Sequence, residues 1–349
     1  MRVVLAGFAF ALLVYPQAMN HQNRWAIVLH GGAGVIERKS MDAKTEAEYR
    51  AGLREALLAG SGVLGRGGSA VDAVEASIRL LEDNPLFNAG RGAVFTSAGR
   101  NELDAAVMDG ATLKAGAVAG VTRTRHPISL ARAVMERSKY VMLIGEGADH
   151  FAAQMGLEQV DPSFFFTERR WQGLVKELEK EGKPIPQPPA GVRMEDFPAP
   201  AHIEPEGQHK YGTVGVAAVD QRGNVAAGTS TGGTQGKLPG RVGDSPIIGA
   251  GTYASNHSCA VSATGSGEYF IRLTVAREIC ALVEDKGFSV QAAADNVIQK
   301  QLTALEGDGG VIVISPSGQM AWSFNTSGMY RARLTEGGQP QISIYKDEP

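Results

Sequence analysis

The residues of this chain that offer chemistry are hydroxyls and glycines in its second half. Gly212-Thr213 opens one regular segment, Thr229-Ser230-Thr231-Gly232-Gly233 closes the next, and Thr264-Gly265-Ser266-Gly267 leads into a predicted helix. Each group stands at the end of a regular element. A threonine hydroxyl becomes a useful nucleophile when a base removes its proton. The spacing therefore suits nucleophilic catalysis by threonine.

An N-terminal threonine carries its own base. The pKa of an α-amine is about 7.7 to 8.0, so much of it is neutral at physiological pH and takes the proton of the hydroxyl. Breakage of the Gly212–Thr213 bond would create such an N-terminus. A glycine before the threonine suits self-cleavage, because it presents little steric barrier when the hydroxyl attacks the preceding carbonyl. A Gly-Thr pair that opens an ordinary strand has the same pattern, so the residue types alone leave both interpretations open.

Spacing disfavours several other mechanisms. The chain contains no G-x-S-x-G nucleophile elbow and no H-E-x-x-H or C-x-x-C metal pattern. Gly236-Lys237 resembles the end of a phosphate-binding loop, but Thr231 stands where its first glycine should be and Leu238 where a serine or threonine should be. A serine triad, a zinc site and a phosphate loop are therefore disfavoured. The histidines left without such a pattern are His21, His30, His126, His150, His202, His209 and His257.

The composition is that of a globular protein. The 349 residues are 43% hydrophobic and 20% charged, which supplies a substantial core in one large domain or two. The 34 basic and 37 acidic residues give a net charge of −3 without a basic run, so nucleic acid is not expected as a partner. The 44 glycines have no repeat period and indicate tight turns and close backbone approaches. Cys259 and Cys280 permit one disulfide bond, which the sequence does not decide.

The N-terminus resembles a secretory signal peptide. Arg2 precedes an apolar run from Val3 to Val14, and Tyr15-Pro16-Gln17-Ala18 offers a small residue for cleavage after residue 18. The run is shorter than the roughly 20 residues that span a bilayer. We therefore expect residues 1–18 to be removed and the protein to be periplasmic or secreted. A start at Met19 or an ordinary extension are the alternatives, and they would leave the protein cytoplasmic.

The first part of the chain mixes strands and helices. Ser69 is a candidate N-cap for a helix whose apolar residues recur at helical spacing. The predicted elements are a buried strand over 24–30 that ends in a turn at 31–34, helices over 44–60 and 69–83, β-like runs over 103–108 and 116–123, and a helix over 128–137.

The second part predicts hairpins and paired helices. Prolines interrupt a polar stretch over about 160–211, which we interpret as an exposed, mobile linker. Hairpin patterns over 213–231 and 310–324 flank two long predicted helices, over about 267–285 and 289–305. Hairpin-paired strands with helices arriving in pairs favour a layered α+β fold of antiparallel sheets over a parallel doubly wound sheet.

Six segments of the chain resemble one known family. They are HGGAG at 30–34, NAGRGAVFT at 88–96, ELDAAVMDG at 102–110, GTVGVAAVD at 212–220, TSTGGTQGKLPGRVGDSPIIGAGTYA at 229–254 and ATGSGEYFIR at 263–272. Together they are similar to the plant-type asparaginases and isoaspartyl peptidases, which are N-terminal-nucleophile threonine hydrolases. The resemblance runs from about residue 25 to the C-terminal part, and the long KLPGRVGDSP segment is its most specific part.

The resemblance implies a fold and a maturation step. The fold is a four-layer αββα sandwich, in which two mainly antiparallel sheets lie between helix layers, and it forms a single domain over residues 24–349. Cleavage between Gly212 and Thr213 divides it into fragments 19–212 and 213–349. The activity is hydrolysis of β-aspartyl dipeptides and of L-asparagine, without a catalytic cofactor. The partners are a small-molecule or dipeptide substrate and a second cleaved heterodimer, with no membrane span.

The resemblance also implies the catalytic roles. Thr213 is the nucleophile, Thr231 is a hydroxyl bonded to it, and Thr264 with the Gly265 amide forms the oxyanion hole. Such donors stabilise the negative charge that develops during acyl transfer, by roughly 2.7 to 4 kcal/mol each. Because this pair stands just before a predicted helix, its N–H would lie at the positive end of the helix. A simple helix N-cap would look the same.

Substrate recognition follows from the charged residues of the resemblance. Arg241 binds the α-carboxylate, while Asp244 and the Gly267 carbonyl hold the α-ammonium. From spacing alone, Arg241 and Asp244 could instead form one surface ion pair. Asn88 is placed near the site, and its alternative is a turn asparagine with an unusual backbone conformation.

Family members also carry a structural sodium ion bound mostly by main-chain carbonyls. The corresponding residues here are Leu81, Glu82, Asn84, Phe87, Ala89 and Arg91. Two of the matched positions depart from the family. Arg91 places a charge beside a cation, which matters little if only its carbonyl binds, and Ser266 stands where relatives often have threonine.

Two alternative functions stay open. A glycosylasparaginase uses the same fold and the same threonine, although the junction Lys210-Tyr211-Gly212-Thr213 is more similar to the asparaginase branch than to the His-Asp-Thr junction of that enzyme. A non-cleaving amino-acid-binding protein would keep the pocket without the chemistry. Denaturing electrophoresis tests the binding-protein alternative, because an enzyme of this fold yields a fragment that starts at Thr213 and a non-cleaving protein stays one full-length band.

Overall fold

A computed structural model describes residues 25–192 and 212–349. The predicted signal peptide and residues 193–211 of the predicted linker lie outside the described residues. Within the two described ranges, no helix is both long and apolar enough to cross a bilayer.

The strands of the described chain form two sheets, one of eight strands and one of four. In chain order they are β1 (Ala26–Gly34), β2 (Leu103–Asp109), β3 (Ala115–Val121), β4 (Met142–Ile144), β5 (Val214–Val219), β6 (Val225–Thr231), β7 (Thr252–Ala254), β8 (Ala260–Gly265), β9 (Gly309–Ile314), β10 (Met320–Phe324), β11 (Gly328–Thr335) and β12 (Gln341–Tyr345). The large sheet has the order β12-β11-β1-β5-β6-β2-β3-β4, and the small sheet has the order β10-β9-β8-β7. β3 and β4 are parallel, and the other pairs are antiparallel.

Helices cover the outer faces of the two sheets. In chain order they are α1 (Ala43–Gly65), α2 (Ala70–Asp83), α3 (Pro127–Arg137), α4 (Gly145–Gln154), α5 (Glu168–Lys180), α6 (Gly267–Leu273), α7 (Val275–Lys286) and α8 (Val290–Asp295), with short 3-10 helices at Arg38–Ser40, Gly90–Gly92 and Pro162–Phe165. α1, α2 and α3 pack on the large sheet, and α7 and α8 pack on the small one.

Alternating side chains build a core on each face of the large sheet. In β1, Ile27 and Leu29 point into the core beneath α1–α3, while Ala26 and Val28 point into the layer between the sheets. A third core, which includes Val261 of β8, joins the small sheet to α7 and α8. Three cores between four layers are the αββα sandwich that the family resemblance implies.

The strongest local signals of the sequence are confirmed. Ser69 caps α2, accepting a hydrogen bond from the Asp72 N–H at 3.1 Å, and the Asp72 carboxylate accepts one from the Ser69 N–H at 3.3 Å, which completes a capping box. The hairpin predicted over 213–231 is the pair β5–β6, and the one over 310–324 is β9–β10.

The glycine run at 31–34 is not the turn that the sequence predicts. β1 continues through it to Gly34 and pairs with β11, with an irregularity between His30 and Gly32. A Cβ on residue 31 would collide with the Phe87 ring. Gly31 therefore permits close packing against Phe87, and the chain does not turn here.

The interpretation of 160–211 as an exposed linker is wrong for its first part. α5 begins after the N-cap Thr167, whose side chain accepts a hydrogen bond from the Arg170 N–H. Trp171 of this helix is only 3% exposed and packs with Phe95 at a ring distance of 5.3 Å. The apolar face of α5 thus contributes to a separate small core, which is formed by Phe95, Phe166, Trp171, Leu174 and Leu178.

The two long helices predicted over 267–285 and 289–305 are both interrupted. Thr274 adopts φ of 47°, which separates α6 from α7. α8 continues as a π-helical segment, Asn296–Leu302. Between these helices and β8, the undecided cysteines are joined: Cys259 and Cys280 are fully buried and form a disulfide bond.

Candidate active site

The Gly212–Thr213 junction lies directly before β5. The main-chain oxygen of Gly212 accepts a hydrogen bond from the Asn88 N–H at 3.2 Å. A Cβ on residue 212 would lie 2.7 Å from the Asn88 Cβ, so the position needs glycine. Thr213 is buried, and its Oγ1 lies 2.9 Å from Thr231 Oγ1. The predicted nucleophile thus stands beside a second hydroxyl, next to the predicted scissile bond.

The strand period explains why the two hydroxyls meet. Successive side chains of a strand point to opposite faces. Thr213 lies on the same side of its chain as Ala217, and Thr231 on the same side as Ala227, and both alanines belong to the core between the sheets. Because β5 and β6 form an antiparallel hairpin, the start of one lies beside the end of the other.

The Thr231 hydroxyl is itself held by the loop that follows it. Its Oγ1 accepts a hydrogen bond from the Gly233 N–H at 2.9 Å. With that donor in place, the Thr231 proton can point toward Thr213 Oγ1. The geometry thus allows Thr231 to donate a hydrogen bond to the Thr213 hydroxyl.

Asn88 fastens the loop after α2 to both strands of the junction. Its Nδ2 donates to the Gly233 oxygen at 2.7 Å, and its Oδ1 accepts from the Val94 N–H at 2.9 Å. Its main-chain oxygen accepts from the Gly232 N–H. Asn88 is absent from the described residues with positive φ, so the alternative of an unusual turn conformation is wrong. Its contacts hold the site together.

Thr264 and Gly265 are the last residues of β8. Thr264 is fully buried, and its Oγ1 accepts a hydrogen bond from the Ala33 N–H at 3.4 Å. A Cβ on residue 265 would collide with the Asp308 main-chain oxygen. The helix expected just after this pair begins at Gly267, but it has seven residues, so it is shorter than the sequence predicts.

The three residues predicted to hold an amino-acid head group lie together. A Cβ on residue 267 would be 3.0 Å from both Arg241 Nη2 and Asp244 Oδ1. On the other side, a Cβ on residue 233 would be 3.4 Å from Arg241 Nη1. Because the Gly233 amide also binds Thr231, this cluster adjoins the Thr213 hydroxyl. We call Arg241, Asp244 and Gly267 the head-group clamp.

Asp244 is a buried carboxylate with an unused oxygen. Among the described residues, its Oδ2 has no hydrogen-bond partner. Burial raises the pKa of Asp244 to about 7, against a smaller lowering effect from Arg241 and a further raising effect from Glu268. Arg241 pairs with Glu268 Oε1 at 2.9 Å. The alternative of an Arg241–Asp244 surface ion pair is therefore wrong, because Arg241 pairs with Glu268 and Asp244 is buried.

The residues predicted to bind sodium form the end of α2 and the loop after it. The described residues contain no group of three His, Cys, Asp or Glu side chains that could hold a metal, so a cation here would depend on main-chain oxygens. A Cβ on Gly90 would collide with the Glu82 oxygen, and one on Gly92 with the Phe87 oxygen. The Arg91 guanidinium lies over the Phe164 ring at 5.6 Å. The predicted set is Leu81, Glu82, Asn84, Phe87, Ala89 and Arg91.

Two residues of the site were missed by the sequence analysis. Glu268 binds Arg241, and its acidic side chain one position after the clamp glycine was an available signal. His30 contacts the main-chain oxygen of Thr213 at 3.0 Å through Nδ1. His30 follows Ala26 and Val28 at the strand period of two, so its side chain points toward the second sheet. This alternation was the available signal.

The fold and the site together define the class. Two stacked, mainly antiparallel sheets between helices, with a threonine at the start of an inner strand, are the arrangement of an N-terminal-nucleophile hydrolase. The chain belongs to the asparaginase family, whose model matches residues 23–344.

Curated relatives cover nearly the whole chain. An isoaspartyl peptidase of Escherichia coli strain K12 is 48% identical over 322 residues, which are 92% of this chain and 96% of that protein. A probable isoaspartyl peptidase/L-asparaginase 2 of Arabidopsis thaliana is 43% identical over 92% of this chain and 99% of its own length. A plant-type L-asparaginase of Pyrococcus abyssi is 42% identical over 91% and 99%.

Proposed function

We propose that this protein hydrolyses β-aspartyl dipeptides to free amino acids and L-asparagine to L-aspartate and ammonia, after cleaving itself at Gly212–Thr213. The observation that carries the proposal is the Thr213–Thr231 hydroxyl contact of 2.9 Å, next to a clamp with groups of both charge signs. The names of the relatives agree with these two activities.

Self-cleavage begins with attack of Thr213 Oγ1 on the carbonyl carbon of Gly212. The peptide nitrogen takes up the proton that Oγ1 loses and leaves as the α-amine of Thr213, while Gly212 is held as an ester on Oγ1. The Asn88 N–H, already 3.2 Å from the Gly212 oxygen, stabilises the negative charge that develops there. Water then hydrolyses the ester and leaves Gly212 with a carboxylate.

Substrate hydrolysis uses the amine that cleavage creates. The α-amine takes the proton from Thr213 Oγ1, which attacks the side-chain carbonyl of the substrate. Thr264 Oγ1 and the Gly265 N–H stabilise the tetrahedral oxyanion. The amine passes the proton to the departing ammonia or amino acid, and then activates the water that releases aspartate from the ester. Thr231 keeps Oγ1 oriented in both steps.

The head-group clamp restricts the substrate to aspartyl compounds with a free α-amine. Arg241 binds the α-carboxylate in place of Glu268, and Asp244 with the Gly267 carbonyl binds the α-ammonium. N-acylation removes the positive charge and leaves the Asp244 carboxylate buried without a partner. Because such burial is costly, we expect N-acylated β-aspartyl dipeptides to react far more slowly.

Thr213→Ala tests the proposal directly. Purified wild-type protein should give two bands on a denaturing gel, with a fragment that starts at Thr213, and should release aspartate from a β-aspartyl dipeptide. The variant should stay one band and release none. Thr335→Val, an exposed threonine on β11, is the matched control and should behave as wild type. A Thr213→Ala variant that keeps activity would refute the assignment.

The same assay separates the alternatives. Preferential release of the sugar-bearing amine from a glycosylated asparagine would indicate a glycosylasparaginase. A single full-length band after prolonged incubation, with asparagine bound but not hydrolysed, would indicate a binding protein. Equal rates on free and N-acylated dipeptides would contradict the role of the clamp.

We also propose that the loop after α2 binds a sodium ion through its main-chain oxygens. The support is the crowding of the Glu82 and Phe87 carbonyls around Gly90 and Gly92, where side chains would not fit. A hard cation prefers such oxygen ligands. The ion would stabilise the loop that carries Asn88 and takes no part in the chemistry.

Two further proposals concern location and assembly. We propose export after removal of residues 1–18, supported by the apolar run of the leader and by the Cys259–Cys280 disulfide, since such bonds persist in oxidising compartments. N-terminal sequencing of the protein from its native cells tests it. We also propose a dimer of cleaved heterodimers, which sedimentation equilibrium would detect as twice the mass of one chain.

A further inference from the structure

A continuous line of buried polar side chains runs between the two sheets from the main chain of Thr213. His30 Nδ1 is 3.0 Å from the Thr213 oxygen, and His30 Nε2 is 3.0 Å from Ser262 Oγ. Ser262 Oγ is 2.7 Å from Thr229 Oγ1, which is 2.6 Å from Thr252 Oγ1. His30 and the three hydroxyl residues are fully buried. We call Ser262, Thr229 and Thr252 the hydroxyl chain.

The far end of the hydroxyl chain reaches the clamp segment. Thr252 Oγ1 is 3.0 Å from the main-chain oxygen of Ser245, the residue after Asp244. The Gly251 N–H, next to Thr252, donates to the main-chain oxygen of Asp244 at 3.1 Å. The line therefore joins the residue that attacks the substrate to the segment that holds its head group.

Gly215 on β5 leaves the space for this line. A Cβ on residue 215 would collide with Ser262 Oγ and with His30 Nε2. Gly215 is opposite His30 in the β1–β5 ladder. The sequence of β5 is thus compatible with the His30–Ser262 contact because it has glycine at this position.

The donor of each hydrogen bond in this line can be assigned from its partners. A carbonyl oxygen only accepts, so His30 Nδ1 carries the hydrogen toward Thr213. Burial lowers the pKa of His30 to about 3, so the ring is neutral and Nε2 accepts from Ser262. Since each hydroxyl has one proton, Thr229 then donates to Ser262, and the Thr252 proton is shared between Thr229 Oγ1 and the Ser245 main-chain oxygen in a three-centre bond. The neutral Nδ1–H tautomer leaves His30 no role as a base toward Thr213 Oγ1.

We propose that His30 is a positioning residue whose Nδ1–H fixes the nucleophile Thr213, while the hydroxyl chain holds the His30 ring in the orientation and tautomer that this bond needs. The proposal rests on the proposed function, in which Thr213 attacks a carbonyl at a set distance from the head group. A misplacement of about 1 Å costs roughly 100-fold in rate. Because His30 touches no atom of the clamp, its loss lowers kcat and self-cleavage and leaves KM nearly unchanged.

Two substitutions at residue 30 separate the contacts. His30→Asn keeps a donor on the atom bonded to Cγ, as Nδ1 is, and so keeps the bond to the Thr213 oxygen. His30→Gln keeps a donor only near the position of Nε2. We expect kcat and self-cleavage within about tenfold of wild type for His30→Asn, and a loss of roughly 100-fold for His30→Gln. His257→Asn, an exposed histidine, is the matched control.

Equal losses in the two variants, or a loss that appears only in KM, would overturn the proposal. If the residue 30 variants do not fold, Thr229→Val serves the same test, because valine keeps the shape and removes the hydroxyl. We then expect kcat to fall at unchanged KM, with Thr335→Val unaffected. A wild-type kcat in Thr229→Val would overturn the proposal as well.

A spectroscopic measurement avoids catalysis altogether. In the uncleaved Thr213→Ala chain, the main-chain oxygen of residue 213 is retained, and nitrogen NMR of labelled histidines reports the tautomer of each ring. The His30 signal, identified by its absence from His30→Asn, should be a neutral Nδ1–H tautomer from about pH 5 to pH 8. A charged ring or an Nε2–H tautomer would overturn the inference. Activity that survives in Thr213→Ala would instead refute the proposed function.

Discussion

In the proposed function, the ionisation of Asp244 controls binding of the substrate ammonium group. Its carboxylate is buried, one oxygen has no partner among the described residues, and burial raises its pKa to about 7. Only the ionised form attracts the α-ammonium of the substrate. Once the ammonium is bound, the opposite charge favours the carboxylate and lowers the pKa. Asp244 should therefore titrate in the free enzyme and stay ionised in the complex.

The magnitude follows from the titration. With a pKa of about 7, Asp244 is half ionised at pH 7 and about 1% ionised at pH 5, so substrate capture falls roughly 50-fold between these values. The Thr213 amine, with an ordinary pKa of about 7.7 to 8.0, must also be neutral and adds a second loss of similar slope. Below about pH 6.5, kcat/KM should thus fall by nearly 100-fold per pH unit, while kcat, which depends on the amine alone, falls by about tenfold.

Asp244→Asn separates the two groups. The amide has no charge to titrate, so kcat/KM should keep only the tenfold slope of the amine. The plateau of kcat/KM at high pH should be about 100-fold lower in Asp244→Asn than in wild type, because removal of one partner of a buried charge pair costs roughly 3 kcal/mol. The assay is the release of aspartate from a β-aspartyl dipeptide across about pH 5 to 9. The same steep slope in both proteins, or a shallow slope in wild type, would refute the reasoning.

Stability gives an independent measure of the same carboxylate. Because the folded pKa of Asp244 lies above its ordinary value of 3.8, burial of the charge destabilises the fold increasingly as pH rises from about 4 to 7. Three pKa units correspond to about 4 kcal/mol at most. Asp244→Asn should therefore be more stable than wild type to urea at pH 8 and equally stable at pH 4. No difference at pH 8 would mean that the charge is already compensated.

Three further predictions concern maturation and stability. Gly212→Ala brings a Cβ to 2.7 Å from the Asn88 Cβ and should slow self-cleavage at least about tenfold in a gel time course, whereas Gly147→Ala, in open space on α4, should not. Reduction of the disulfide between Cys259 and Cys280, 21 residues apart, should lower the free energy of unfolding by about 3 kcal/mol, and an effect of reductant on a Cys259→Ala/Cys280→Ala protein would contradict this cause. Replacement of sodium by tetramethylammonium should lower Tm reversibly, and a Tm independent of the cation would contradict sodium binding.

The sequence predicts the elements whose signals are local. The β5–β6 and β9–β10 hairpins and the capped helix α2 have turn residues, alternation or an N-cap that act within a few positions. Helix α5 departs from the predicted linker, because the prolines after residue 183 indicate an irregular stretch but do not define where it begins. Its stability depends on Trp171 meeting Phe95, a contact between segments far apart in the chain.

In the candidate site, too, the residues can be predicted from motifs, but their tertiary contacts cannot. The family resemblance supplies Thr213, Thr231 and the head-group clamp, since these residues stand in specific motifs. Sequence spacing cannot reveal the pairing of Arg241 with Glu268 or the buried, unpartnered oxygen of Asp244, because both depend on how the loop after β6 folds over α6. The break at Thr274 that shortens α6 has no proline or glycine to mark it.

The layer between the sheets explains why so many hydroxyls gather at one place. Its apolar part combines small side chains such as Ala26 and Ala217 with larger ones such as Ile312 and Phe324. At the end where β5 starts, the same alternation presents Thr213, and polar groups there are buried before any substrate binds. Since buried polar groups are costly unless they are bonded, each one must find a fixed partner. The packing that makes the fold stable thereby also makes the nucleophile rigid.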